Sequence, residues 1–394
     1  MKKIISVLIV GLMLLVSTNT VLAADDSLDI EKVAIQAIKN SQDLQTYNKM
    51  VTLSKKYYED SNSAADAMRA LLGYQNSYST LVQIVFLPLN AKNNMTQTTN
   101  SQAVVTNAVR LSAYQDYINL LKADYAENIQ QGLMNGLDAD YRTAKQQEGL
   151  GMISSSQLRL SEIAYLKAQY SYNSAQKSFG SASMTLNKLM GEDLTKQYSI
   201  LQDNNISPAA QIKSLNDYIN IALANRVDIK NAQSTLDTDK QEFDYSKAEP
   251  ATDYEFTMQK LQYNLDKAQN DLDLKKISVQ KDITNLYKTL QGAMKNLEAM
   301  KDLNDQAAAN YQAAEIQYKN SQISLQEFDD AKVTKAQADV NYKNAQLDAW
   351  LVQTMMNTAC SAGYVPSTNA SSSTMQSSSN KVNPTEQLNS KNRN

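Results

Sequence analysis

The chain has 394 residues, 42% of them apolar, and its 38 Lys and Arg against 41 Asp and Glu give a net charge of -3. This near balance argues against a nucleic-acid partner. With no His and Cys360 as the single cysteine, the chain lacks the residues for Ser-His-Asp or Cys-His catalysis, for His-ligated metals and for an intramolecular disulfide. We expect neither an enzyme nor a cofactor, and the low content of Gly (10) and Pro (5) favours an all-α fold.

Residues 1–23 have the layout of a secretory signal peptide. Lys2-Lys3 precede an apolar core from Ile4 to Val16, and small residues surround Ala23. The apolar core is shorter than the roughly 20 residues that span a membrane. We therefore expect an exported mature chain; a retained N-terminal anchor is the alternative.

Residues 24–191 are predicted to form a first helical hairpin repeat. Apolar residues recur at helical spacing from Ile30 to about Leu72. Residues 73–100 interrupt this pattern: β-branched residues cluster before Pro88, which predicts an extended segment or an irregular loop. Two further helices follow, from about Gln102 to Glu148 and from about Ser155 to Met190, and Gly191 ends the second.

A polar connector over 192–213 leads to a second copy of the same pattern over 214–361. Ala37 and Asn40 match Ala222 and Asn225 at a constant offset of 185 residues, which identifies an internal repeat. After the interruption at residues 73–100, here called the distal segment, the offset falls to 170, so the second copy is shorter there. Residues 362–394 are rich in Ser and Asn, and we expect this tail to be disordered.

The second copy contains one helix twice as long as its neighbours, from about Asp253 to Lys319. Its apolar residues alternate at spacings of three and four, which is the pattern of a coiled-coil seam. Near Val279 the alternation breaks as in a stutter. Helices of about half that length, over 214–249 and 325–356, would have to flank it end to end. The predicted architecture is therefore two tandem repeats of long antiparallel coiled-coil hairpins.

These residues resemble the outer-membrane efflux protein (TolC) family over residues 28–361. The likeness lies in the doubled hairpin, in the openings Ala37…Asn40…Leu44 and Ala222…Asn225…Ile229, and in the two corners, 151–154 and 318–324. The resemblance implies a homotrimer whose helices enclose a tunnel, an outer-membrane location where the cell has that membrane, a membrane-fusion-type adaptor, and an inner-membrane transporter. A membrane strand needs about 9–11 residues, so we expect a TolC-like α-barrel protomer with reduced or missing β-barrel strands.

The resemblance also implies roles for the two corners and for a nearby carboxylate pair. Exposed apolar residues beside a glycine can insert into a groove of a partner, although Ile153 and Ile323 could equally staple their own hairpins. Glu327 and Asp330 match the family's carboxylates at the closed end of the tunnel; a solvated acidic face is the alternative. The predicted adaptor-docking tips are Gly151, Met152, Ile153, Ser154, Ser321, Gln322, Ile323 and Ser324.

The distal apolar run is the third candidate. It either contacts another surface, including a membrane, or packs on the molecule's own helices; its members are Leu81, Val82, Ile84, Val85, Phe86 and Leu87. We thus predict a TolC-like export duct, a passive conduit for efflux or secretion. The alternative is a secreted, non-conducting coiled-coil structural or binding protein of the envelope.

Overall fold

The computed structural model describes residues 27–72, 77–248 and 253–364. The predicted signal peptide and residues 365–394 of the predicted tail lie outside them. Within these ranges the fold is all-α, as predicted, with two short strands. In chain order the elements are β1 (Ser27–Leu28), α1 (Ile30–Asn40), α2 (Gln42–Leu72), α3 (Tyr78–Leu81), a π-helical segment (Val82–Phe86), α4 (Leu87–Gly149), α5 (Ser155–Met190), β2 (Ile200–Leu201), α6 (Leu215–Asn225), α7 (Val227–Ala248), α8 (Tyr254–Lys319) and α9 (Leu325–Ala359).

The helices pack side by side as a wall of four columns. The first column contains α2 and α5, the second α4, the third α7 and α9, and the fourth α8, and each column packs on the next. At about 1.5 Å per residue, the 63 residues of α4 and the 66 residues of α8 each extend roughly 95–100 Å. The prediction that one continuous helix packs against two shorter ones is confirmed, and it holds in both repeats. Within the described ranges, no helix combines the length and the apolar character needed to cross a membrane.

The coiled-coil seam predicted for α8 forms its buried face. Leu261, Ala268 and Leu272 are buried in the distal part of α8, and Val279, Ile283 and Leu290 continue the buried row. The predicted break in the alternation is the four-residue step from Val279 to Ile283, and both of these residues are buried. Because this row alternates with charged residues, α8 buries one stripe against α6, α7 and α9 and exposes the opposite face.

Each shorter column is broken where the returning helix ends, which corrects the prediction of unbroken helices over 30–72 and 214–249. In the first repeat the break lies at Ser41, and the side-chain amide of Asn40 donates a hydrogen bond to the Met190 carbonyl. In the second repeat the break lies at Arg226, and the Val227 N–H donates to the Ala362 carbonyl over 3.2 Å. The breaks therefore provide docking points for the ends of α5 and α9.

The distal segment is helical from Tyr78 onward, so the prediction of an extended segment or loop over 73–100 is wrong for residues 78–100, and residues 73–76 lie outside the described ranges. Residues 78–149 run continuously through the π-helical segment into α4. Pro88 has no N–H for the carbonyl four residues earlier. That carbonyl, on Ile84, instead accepts a hydrogen bond of 2.6 Å from the Arg69 guanidinium of α2. A long-range donor thus satisfies the group that the proline leaves free.

The two strands form a small two-stranded sheet beside α4. β1 pairs with β2 in parallel, Ser27 opposite Ile200. The hydroxyl of Tyr117, a fully buried residue of α4, lies 2.6 Å from the Leu28 carbonyl and 2.9 Å from the Gln202 carbonyl. This tyrosine attaches both β1 and the connector to α4.

Gly191 and Gly180 make a matched pair for testing the docking point of α5. Gly191 has φ of +70°, and an added Cβ would lie 2.7 Å from Asn40 Nδ2, whereas Gly180 lies inside α5 with no heavy atom within 4 Å of such a Cβ. We expect Gly191→Ala to lower the free energy of unfolding by about 1–2 kcal/mol or more, and Gly180→Ala to raise it by about 0.5–1 kcal/mol. Urea unfolding followed by circular dichroism checks both changes. Equal effects of the two substitutions would contradict the docking role.

Candidate functional site

Both corners have the same turn. α4 ends at Gly149 and the Met152 N–H donates to the Gln147 carbonyl over 2.8 Å; α8 ends at Lys319 and the Gln322 N–H donates to the Gln317 carbonyl over 2.8 Å. This bond closes the last helical turn around a left-handed residue. Gly151 has φ of +71° and Ser321 has φ of +55°. Ser321 therefore keeps the turn without a glycine, at a steric cost.

A capping box follows each corner. The Ser154 and Ser324 hydroxyls accept hydrogen bonds from the N–H groups of Gln157 and Glu327, and the Gln157 and Glu327 side chains accept from the N–H groups of the two serines. The Ser324 N–H to Glu327 Oε2 distance is 2.8 Å. These bonds lower the pKa of Glu327, first through the Ser324 N–H and then through its hydroxyl. Glu327 thus has a structural role that explains its position three residues after Ser324.

The two corners bound one cleft of about 970 Å³. Its floor is α4, and its walls are the first turns of α5 and α9. Residues that match at the repeat offset of 170 line it on both walls: Leu160 and Asp330, Ile163 and Val333, and Lys167 and Gln337. Each wall presents residues at spacings of three and four, so the cleft has the form of a groove between two helices. Ile153 and Ile323 line it as well.

The predicted tip residues divide into exposed and partly covered ones. The Met152 side chain is 68% exposed, and Gly151, Ser154, Ser321, Gln322 and Ser324 are exposed too. Ile153 and Ile323 are partly buried. The structure therefore brings both tips to one end and around one cleft, with Met152 as their most exposed apolar side chain. Their role in docking remains a prediction.

The predicted constriction residues Glu327 and Asp330 are both exposed at this end. Asp330 lies on the cleft wall, whereas Glu327 contacts Ser324. Between them in sequence is Asp329, which the alternative interpretation, a solvated acidic face, would place in solvent. That placement is wrong, because Asp329 is only 4% exposed.

Asp329 belongs to a buried charged cluster that the sequence did not reveal. Lys332 Nζ lies 3.5 Å from Asp329 Oδ1 and also contacts the Asp140 carboxylate of α4. The neighbouring Phe328 ring stacks on Tyr318 and Tyr311 of α8, with centroids 4.9 and 5.8 Å apart. The Asp-x-x-Lys spacing predicts only a helical surface pair. The third member comes from 189 residues earlier in the chain, so local spacing could not identify it.

The distal apolar run lies at the opposite end of α4, in a helix. Leu81 and Phe86 are buried, Val82, Ile84 and Val85 are partly buried, and Leu87 is 47% exposed. The Phe86 ring packs edge-on against Tyr78. Most of this run therefore packs on the molecule itself, which leaves Leu87 as its exposed member.

Solved structures with the same fold are outer-membrane channels. The chain superposes on a CusC structure described for its conformational changes on folding and transmembrane channel formation, with a TM-score of 0.62 and 15% identity over 85% of this chain and 92% of that one. The outer membrane protein VceC of Vibrio cholerae superposes with a TM-score of 0.61 and 11% identity, over 85% of this chain and 96% of that one. The CmeC outer membrane channel of Campylobacter jejuni gives 0.53 and 14% over 86% of both chains.

Neither a protein-family model nor a curated protein sequence matches the chain. The likeness is therefore one of fold, and it confirms the predicted all-α, TolC-like fold of the chain.

The capping role of Glu327 can be separated from the role of its charge. Because Gln157 makes the same capping box in the first repeat, we expect Glu327→Gln to keep the free energy of unfolding nearly unchanged and Glu327→Ala to lower it. Ser324→Ala, which removes the cap itself, should cost about 1 kcal/mol. Urea unfolding of the three variants is the measurement. A Gln variant as unstable as the Ala variant would show that the carboxylate charge, rather than the cap, stabilises the corner.

Proposed function

We propose that this chain is the protomer of a TolC-like export duct of the cell envelope, a passive conduit for efflux or secretion without chemistry on its cargo. The observation that carries the proposal is the four-column wall, which shares its fold with outer-membrane channels over 85% of the chain and has unpaired apolar stripes at both edges. A wall with two such edges can close into a ring with further copies of itself.

The first edge has an apolar stripe along its whole length. On α2, Met50, Leu53, Tyr57 and Leu71 are exposed at spacings of 3, 4 and 14 residues. On α5, Leu166, Tyr170 and Met184 continue with spacings of 4 and 14. These are seam positions of a coiled coil. Tyr170, for example, is 76% exposed, so the seam has no partner among the residues that the structure describes.

The second edge, on α8, has a matching stripe opposite its buried seam. Phe256, Tyr263, Leu274 and Ile277 are between 61% and 66% exposed, and their spacings are 7, 11 and 3 residues. Different surfaces at the two edges make a heterologous contact, which generates a ring when the rotation closes. A homotrimer, as in the resembling family, is the assembly we propose.

The cleft at the corner end is the proposed docking site for the adaptor, beneath an inner-membrane transporter. Leu160, Ile163 and Val333 are between 42% and 47% exposed on its walls, and a helix of a partner could bury them as in other helix-in-groove contacts. Met152 and the opposite tip residue Gln322 would flank this helix. The tips and the cleft form one surface, which is why we assign the docking to both.

Glu327 and Asp330 are the proposed constriction. Three copies would bring their carboxylates into rings at the corner end of the duct, which would attract cations. At the other end, Leu87 and its neighbours in the distal run are the proposed contact with a membrane or another envelope surface. The proposed location is the cell envelope, and it is the outer membrane if the source cell has one.

Closure of the ring can be tested by charging one edge. We expect purified mature protein to form tubes of three chains in negative-stain electron microscopy and light scattering. Leu53→Lys on α2 or Tyr263→Lys on α8 should release folded monomers, because a buried ammonium at a seam position is costly.

Leu194→Lys is the matched control, since Leu194 is 52% exposed in the connector and outside both stripes. It should remain trimeric. A wild-type protein that is monomeric at micromolar concentration would overturn the proposal in favour of the non-conducting coiled-coil protein.

The constriction assignment predicts a change in conductance. Glu327→Gln combined with Asp330→Asn keeps the capping geometry and removes both charges, so single-channel recordings of reconstituted protein should show lower cation selectivity and higher leak. Glu298→Gln, which removes an exposed carboxylate of α8 outside the corner, should leave both unchanged. Identical recordings for the double variant and the wild type would exclude these residues as the constriction.

A further inference from the structure

A cluster of three charged groups joins α9 to α4 beside the cleft. Lys332 of α9 lies between Asp329 of the same helix and Asp140 of α4. The side chains of Asp329, Lys332 and Asp140 are 5%, 15% and 22% exposed. Water therefore screens these charges poorly, and their balance matters for the packing of α9.

The charges of this cluster do not balance. One ammonium faces two carboxylates, so the fully ionised cluster has one negative charge in excess. Two carboxylates around one buried cation favour the uptake of one proton, which removes the excess and lets the carboxyl groups hydrogen-bond. A second contact of the same seam, between Lys122 of α4 and Asp348 of α9 at 2.5 Å, pairs one cation with one carboxylate and has no such excess.

The cluster is coupled to the wall of the cleft through Phe328. The Lys332 ammonium lies 4.2 Å from the centre of the Phe328 ring, and this ring stacks on Tyr318 and Tyr311 of α8. Asp329 itself lines the cleft. A change in how the first turn of α9 packs on α4 and α8 therefore changes the shape of the cleft directly.

Few other titratable groups face the cluster. From α8, the Tyr318 hydroxyl is near both carboxylates, and burial followed by these charges raises its pKa. Lys319 of α8 lines the cleft and pairs with Glu315 over 2.8 Å. From α5, Lys167 lines the opposite wall. Asp140 and Asp329 are thus the carboxylates that surround Lys332.

We propose that Asp140, Lys332 and Asp329 form a proton-binding lock that holds the first turns of α9 on α4 when it is protonated and loosens them when it is fully ionised. The lock regulates the shape of the cleft, and its importance for docking rests on the proposed function. The stimulus it responds to is the pH at the corner end of the duct.

The electrostatics place this response near neutral pH. Burial raises the pKa of Asp329 to about 7, against the opposing effect of Lys332 and with a further rise from Asp140. A carboxyl group whose pKa is higher in the folded than in the unfolded state favours folding at low pH, and this stability is lost as the pH rises through the folded pKa. The lock is therefore firm at pH 6 and loose at pH 8.

Hydrogen exchange of the full-length protein tests the lock without any partner. Exchange rates of amides in residues 325–337, normalised to the intrinsic rate at each pH, should show protection that falls by up to about tenfold from pH 6 to pH 8 in the wild type, because one pKa unit corresponds to a tenfold change. Asp329→Asn should make this protection independent of pH. Asp140→Asn removes the other carboxylate and should flatten the profile as well.

Asp348→Asn is the matched control, because it breaks the balanced pair in the same seam. It should lower protection by a similar factor at both pH values and keep the pH dependence of residues 325–337. The lock would be overturned if the protection of residues 325–337 did not change with pH in the wild type. It would also be overturned if protection fell from pH 6 to pH 8 in Asp329→Asn and Asp140→Asn as much as in the wild type. A pH-dependent wild type that forms no tube would support the lock and reject the duct, whereas a tube with a flat profile would do the reverse.

Discussion

The long helices α4 and α8 impose the constraint on which the rest of the structure depends. Each has an apolar seam about twice as long as any returning helix can cover, so two shorter helices must share it. This requirement fixes where the shorter columns break, at Ser41 and Arg226, because the end of α5 or α9 has to dock there. It also brings both corners to one end, since each corner is the far end of a long helix. The cleft between them follows from the repeat.

The two repeats solve the same local problems with different residues. Gly151 and Ser321 make equivalent left-handed turns, and Gln157 and Glu327 complete equivalent capping boxes. In the lining of the cleft, however, Leu160 of α5 corresponds to Asp330 of α9. The duplication thus preserves the backbone hydrogen bonds that close each corner, while the exposed side chains have diverged. Functional asymmetry at this end can arise without any change to the turn itself.

Local patterns predicted the parts of the fold that depend on neighbours in sequence. The bounds of α5, from Ser155 to Met190, and the seam of α8 were predictable because caps and heptad spacing act within a few residues. The helix around Pro88 was not, because its free carbonyl depends on Arg69 of another helix. Asp329 was misassigned for the same reason, since its burial depends on Asp140. The Ser-x-x-Glu spacing at Ser324 is typical of a capping box, but the family resemblance implies a role for the charge of Glu327 and none for its capping hydrogen bonds.

Two carboxylates at the corner end, those of Glu327 and Asp329, have opposite electrostatic environments. Hydrogen bonds from Ser324 lower the pKa of the exposed Glu327, so this residue keeps its charge throughout the physiological range. Burial raises the pKa of Asp329 to about 7, so the charge of this residue follows the surrounding pH. In the proposed constriction, Glu327 would therefore attract cations throughout the physiological range, while Asp329 would adjust the packing behind it. Two adjacent turns of α9 thus separate a constant surface charge from a variable internal one.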